Sequence, residues 1–91
     1  MMLRRVAGDS MLPTLKPGQI VIATRHFKPQ VGQIIVVQHR GIQKIKRLTS
    51  ISDSGFFVEG DNAKKSTDSR HFGAVDHHSL QALVIWPRYI R

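Results

Sequence analysis

No stretch of this chain keeps apolar residues at helical spacing for three turns, and that absence decides the fold class. What recurs instead is short β-branched runs cut by turn residues. Pro17-Gly18 leads into residues 19–24, and Pro29-Gln30-Val31-Gly32 leads into residues 33–38. Both runs are continuous enough in Ile and Val to predict strands buried on two faces. Gly41 opens a third run, 42–51, in which Ile42, Lys44, Lys46 and Leu48 point one way while Gln43, Ile45, Arg47 and Thr49 point the other. Asp53-Ser54-Gly55 reads as a turn into a strand at 56–59, followed by a polar loop at 63–70. A last strand at 80–86 stops at Pro87, leaving the short tail Arg88-Tyr89-Ile90-Arg91. The expectation is a mostly β chain: a small, single-domain folded sheet or barrel-like core spanning residues 1–91.

Composition narrows the chemistry. With no cysteine there is no disulfide scaffold, no thiolate zinc site and no cysteine nucleophile. The longest stretches free of Asp, Glu, Lys and Arg run 11 residues, at 29–39 and 77–87, short of the roughly 18 apolar residues that a membrane-spanning helix needs. The start, Met1-Met2-Leu3-Arg4-Arg5, has no apolar core of export-signal length, so a cytoplasmic protein is expected. The net charge is +8, with 14 Lys+Arg against 6 Asp+Glu. Such a balance attracts acidic partners and leaves peripheral contact with a membrane surface open. The basic residues are scattered rather than massed, however, which is the pattern of a solvated surface.

Three segments carry more information than a generic β domain requires. In Gly8-Asp9-Ser10-Met11-Leu12-Pro13-Thr14-Leu15 a serine occupies a glycine-led turn, where its hydroxyl and its own amide can face a cleft. In Ile45-Lys46-Arg47-Leu48 a lysine shares a strand face with apolar side chains. Desolvation disfavours an ammonium, and a neutral lysine can take the proton from a serine hydroxyl. Lys44 lies on the same face and is the rival base. The third segment, 60–73, is dense in hydroxyls and carboxylates between glycines. It suits a scaffold that hydrogen-bonds a lysine and is braced by an Asp68–Arg70 pair.

Together these segments resemble the signal peptidase I family of serine/lysine endopeptidases. Ser10-Met11-x-Pro13-Thr14-Leu15 is similar to the family's nucleophile box and Lys46-Arg47 to its general-base box. Gly60-Asp61-Asn62, Ser66-x-Asp68-Ser69-Arg70 and Phe72-Gly73 are similar to its third box, and the order agrees. The resemblance implies the barrel-like catalytic core shared by signal peptidase I and LexA-type serine/lysine peptidases. It implies Ser10 as nucleophile, Lys46 as general base, and Ser66 orienting the lysine. The Ser10 amide would donate to the oxyanion. Some family members place a second, serine donor where this chain has Gly8. Met11 and Pro13 would shape the substrate cleft, and Asp61, Asp68 and Arg70 would brace the site. No cofactor or metal is implied.

The departures from that family guide the choice of branch. Lys46 and Gly60 are only 14 positions apart, where signal peptidases carry a longer insertion, and no membrane anchor is seen. Ala63, Lys65, Gln19 and Gln33 stand where the family often has other residues. The resemblance is greatest to the maturation protease of nickel-type superoxide dismutase, which implies a precursor polypeptide as partner: the nickel superoxide dismutase precursor, trimmed of an N-terminal extension; the alternative within the family is signal peptidase I-like processing of secretory precursors. LexA-type self-cleaving repressors share the Ser-Met turn and a later lysine, but a repressor needs a DNA-binding helix pair that the residues before Gly8 do not supply.

The rival of a different class is a basic β-barrel that binds nucleic acid or an acidic protein, with Phe27, Phe56, Phe57, Phe72 and Tyr89 as stacking residues. A pairing of Ser10 with Lys46 has no use in such a module, so no nucleic-acid partner is expected. His71, His77 and His78 lack a recognised metal-ligand spacing and are expected to be solvated or hydrogen-bonded. Trp86, ahead of Pro87, is expected in the core or an interface.

Overall fold

A computed structural model describes residues 1–88. Six antiparallel strands form one sheet: β1 (Met2–Arg5), β2 (Ile20–Thr24), β3 (Ile34–His39), β4 (Ile42–Ser52), β5 (Gly55–Glu59) and β6 (Leu80–Trp86), in the order β1-β2-β6-β3-β4-β5. The mostly β expectation holds, with strand ends displaced by at most a residue or two. Turns form where Pro, Gly and Asp were placed to make them, and the β3–β4 hairpin turns at Arg40-Gly41, both at positive φ.

The sheet separates two apolar layers. Val21, Ala23, Ile34, Val36, Ala82 and Val84 point to one side, where Val6, Met11 and Leu15 cover them. Ile35, Val37, Leu48 and Val58 point to the other, under Val75, Phe56 and Phe72. β3 alone supplies both layers by strict alternation, so its two-faced burial is as expected. β2 departs from expectation: only Val21 and Ala23 are buried, and Ile20 is exposed. On its second face Ile22 and Thr24 are half-buried.

Three further differences bear on the site. Residues 2–5 form β1, unforeseen because an edge strand with exposed Leu3 and Arg5 carries little apolar signal. The polar loop is partly helical: a 3-10 turn at Ala63–Lys65 precedes a four-residue helix, α1 (Ser69–Phe72), capped by the Asp68 side chain. Trp86 is 50% exposed and is not a core residue. Phe27, Phe56 and Phe72 pack against the second apolar layer rather than standing free as stacking platforms. Tyr89 lies outside the described residues.

Curvature brings distant strands together. Arg4 Nε on β1 donates to Gln43 Oε1 on β4 over 2.8 Å, although three strands separate them in the sheet order. β5 pairs with β4 only from Arg47 to Ser52. Among the described residues, the outer edge of β4 over 42–46 therefore has no strand beside it.

Candidate active site

The chain leaves β1 at Arg5, and Val6 is locked by two backbone bonds, its amide to the Gln19 carbonyl (2.8 Å) and its carbonyl to the Gly18 amide (2.7 Å). Gly8, at φ +74°, then reverses direction, a conformation that costs glycine little. Met11 and Leu15 plunge into the first apolar layer, and the Leu15 amide closes the turn on the Met11 carbonyl at 2.9 Å. Ser10, between reversal and anchor, is left on the wall of a cavity of about 350 Å³ that Gly8, Lys46, Lys65 and Thr67 also line. Two residues thought to shape this cleft lie elsewhere. Met11 is 1% exposed and belongs to the core, where its apolar volume is worth more than at a wet surface. Pro13 is exposed and is not on the cavity wall.

Lys46 comes to the same cavity from β4. It stands opposite Ile35 and is followed on its face by Leu48, so that only 3% of it is exposed, whereas Lys44 is exposed. Burial pulls the Lys46 pKa below its ordinary value, against Asp68, which raises it, and with help from the nearby Lys44 and Arg70 cations. Burial thus distinguishes the two lysines.

A hydrogen-bond chain runs from that amine. Lys46 Nζ donates to Ser66 Oγ at 2.7 Å, and Ser66 Oγ donates to Asp68 Oδ2 at 2.5 Å. The direction is forced, because Asp68 is an ionised carboxylate and can only accept. Burial, its largest influence, would raise the Asp68 carboxyl. Arg70, the Ser66 hydroxyl and the amides of Gly60 and Arg70 outweigh it and hold the group far below the usual carboxylate range. Arg70 makes the pair expected of it, with Nη2 2.6 Å and Nε 3.0 Å from the Asp68 oxygens, and also reaches Glu59 at 3.6 Å.

Asp61 and Asn62 stitch the serine turn to this scaffold. Asp61 accepts a forked pair from Arg47, both bonds 2.8 Å, and a 2.5 Å bond from Thr14 Oγ1. The Arg47 hydrogen bond is the main cause that lowers the Asp61 carboxyl. The Asn62 amide donates to the Ser10 carbonyl at 2.8 Å, and its side chain donates to the Asp9 carbonyl at 3.1 Å. Among the described residues the Ser10 amide has no protein acceptor. Thr14, Arg47 and Asn62 were visible in the sequence only as members of the boxes; their partners lie up to 53 positions away, beyond any local pattern.

Gly60 is the tightest glycine of the site. A β-carbon there would be driven into the Ser66 hydroxyl and lie 2.6 Å from the Ser10 carbonyl oxygen. The chemistry-bearing residues approach one another because this position has no side chain. Gly60→Ala is expected to destabilise the protein by about 1–3 kcal/mol through overpacking, read as a lower urea midpoint; an unchanged midpoint would mean that the serine turn yields freely. Gly8, by contrast, has open space around its missing β-carbon. Its positive φ, not crowding, is what a serine there would have to overcome.

The remaining candidates are dispersed. His71 belongs to the cap of α1, while His77 and His78 occupy a 3-10 turn. Among the described residues no group of three or more His, Cys, Asp or Glu could hold a metal ion, and no helix is long and apolar enough to cross a membrane.

No curated protein matches the chain. The family described as Peptidase S24-like does match, over residues 1–85, which supports the S24/LexA-type peptidase superfamily. A mostly β sheet, a serine turn and a buried lysine on one cavity accord with that match: the chain belongs to the Peptidase S24-like family.

Proposed function

We propose that the protein is a serine endopeptidase in which Ser10 and Lys46 form the catalytic dyad. The observation that carries this reading is that the wall of one cavity holds both the Ser10 turn and a buried lysine whose amine is already hydrogen-bonded by Ser66. Because Ser66 must give its proton to Asp68, its lone pair faces the Lys46 amine and fixes one N–H of that amine. In neutral Lys46 the nitrogen lone pair is then free to accept the Ser10 proton. Ser10 Oγ attacks the scissile carbonyl carbon, and the Ser10 amide donates to the oxygen that becomes negative. Collapse of the tetrahedral species breaks the C–N bond. The Lys46 ammonium returns its proton to the departing amine, leaving an acyl group on Ser10. Water, deprotonated by Lys46, hydrolyses that ester and restores the enzyme.

The unpaired edge of β4 supplies the binding mode. An extended polypeptide laid along 42–46 would find free backbone donors and acceptors there, with its scissile bond near Ser10 at the end next to Lys46. Such a cleft favours a flexible segment over a folded one. The substrate we assign is an N-terminal extension of a precursor, the nickel superoxide dismutase precursor being the one to which the sequence resemblance points. Incubating that precursor with wild-type protein and with Ser10→Ala should give one Ser10-dependent new N-terminus by mass spectrometry. The family match favours one other reading, cleavage within a polypeptide that carries this same domain. It would be supported if the protein alone were cut at alkaline pH while the precursor stayed whole.

The pH profile tests the base directly. Cleavage should rise with pH as Lys46 loses its proton, with the midpoint below the ordinary lysine value because burial depresses it. Lys44 is a cation that lowers Lys46 further, so Lys44→Gln should move the rising limb to higher pH. A flat profile, or a limb that moves the other way, would rule out Lys46 as base.

A further inference from the structure

The cleft at Ser10 continues past the reacting groups. Ile42, Lys44 and Thr67 line both that cavity and a second one, of about 360 Å³, whose other walls are His39, Arg40, His71 and Phe72. The two spaces run in series along the free edge of β4 toward the β3–β4 turn. His39 stacks flat on Phe72, ring centres 3.9 Å apart, which gives the far end a firm floor.

Charge along this path is lopsided. Arg40, Lys44 and Lys65 line it, and among the described residues none of the three side chains has an ion-pair or hydrogen-bond partner. Three of the carboxylates close in sequence, Glu59, Asp61 and Asp68, are spent on Arg47 and Arg70. Asp9 is the single carboxylate on the first cavity's wall, and the second has none. An approaching polypeptide therefore meets unpaired cations in a groove, where an opposite charge is held better than on open surface.

The strand repeat sets the distance. Same-face residues of β4 lie about 7 Å apart, so Lys44 is one step and Ile42 two steps from Lys46. An extended substrate on this edge advances at the same pitch. We propose that the groove formed by Arg40 and Lys44 selects polypeptides carrying an Asp or Glu about two to four residues from the scissile bond. The inference rests on the peptidase reading above and adds to it the class of substrate.

Binding separates the two claims, because it needs no turnover. Ser10→Ala protein would be titrated calorimetrically with a neutral Ala/Gly/Ser peptide and with versions carrying a single Asp scanned along it. The expected result is affinity about tenfold higher or more with Asp at one favoured position, as for a charge-assisted hydrogen bond. Adding Arg40→Gln should erase most of that gain. Arg25→Gln removes the same charge from a side chain that lines neither cavity and should leave the gain intact. Equal affinity for neutral and acidic peptides, the same gain at every Asp position, or a gain that survives Arg40→Gln would each overturn the proposal. The same gain at every Asp position would mean that the overall +8 charge alone is acting. Wild-type protein on the same peptides tests the other claim. If a position-specific, Arg40-dependent preference in binding stands while no peptide is cut, the acidic groove survives and the peptidase reading fails. Cleavage indifferent to Asp has the opposite meaning.

Discussion

Lys46→Met is expected to abolish peptide cleavage, by about 10⁴-fold or more, the loss typical when one member of a nucleophile–base pair is removed. The same substitution is expected not to unfold the protein. Methionine matches the length and volume of the lysine stem, and the site it enters is lined by Ile35 and Leu48 and is 97% closed to solvent. A buried amine is costly to keep charged, which is why its pKa lies low. An apolar replacement removes that cost, and Ser66 keeps its bond to Asp68. Thermal and urea midpoints equal to or above wild type, with no detectable product by mass spectrometry, would mark Lys46 as a residue kept for chemistry at the expense of stability. Product formed at more than one-hundredth of the wild-type rate would overturn the assignment. Lys46→Arg should be equally inactive, because a guanidinium does not lose its proton.

Asp68→Ala is expected to act in the reverse way, with stability lost first and activity lost as a consequence. The Asp68 carboxylate is fully buried and accepts from the Arg70 guanidinium, the Ser66 hydroxyl and the Gly60 amide. Removing it leaves the Ser66 hydroxyl and the Gly60 amide without an acceptor and takes the partner from the one-third-exposed Arg70 guanidinium, which together costs about 3 kcal/mol. For a domain of this size that lowers the melting midpoint by about 12 °C or more. The sign with pH follows from the depressed carboxyl. Between its folded value and the ordinary unfolded one, near 3.9, the native state holds fewer protons than the unfolded state. The stabilisation is complete above that unfolded value and drains away as pH falls below it. Wild type should therefore lose stability steeply in acid, while Asp68→Ala starts lower and falls less. Parallel curves for the two proteins would show that Asp68 is not the group whose protonation drives the acid loss.

The two variants also show what the sequence could and could not disclose. Strand positions from β2 to β6 were legible because Pro, Gly and Asp punctuate β-branched runs. β1 was not, since its place is fixed by pairing with β2 rather than by its own composition. A lysine among apolar neighbours could be seen in the alternation of 42–51, but Lys44 and Lys46 share that face at the next-but-one spacing and no local pattern separates them. What separates them is tertiary: Lys46 is buried against the Ser66–Asp68 segment while Lys44 stands at an open edge. The serine turn was legible as a turn. That Met11 serves as its anchor rather than its cleft wall depends on Leu15 following one helical-type turn later, both entering the core.

An open sheet edge is indifferent to whose backbone completes it. The half of β4 left bare by the short β5 offers the same ladder to a substrate, to an unfolded chain or to another molecule of its own kind, and edges like this are where proteins begin to stick together. Lys44 at that edge, with Arg40 at the hairpin turn beside it, gives it a sign. Two copies of a chain that is positive at this very rim repel each other before their edges can meet, while a negatively charged strand is drawn in. The cations that would favour a guest thus double as a guard against self-assembly, and one short strand makes both necessary.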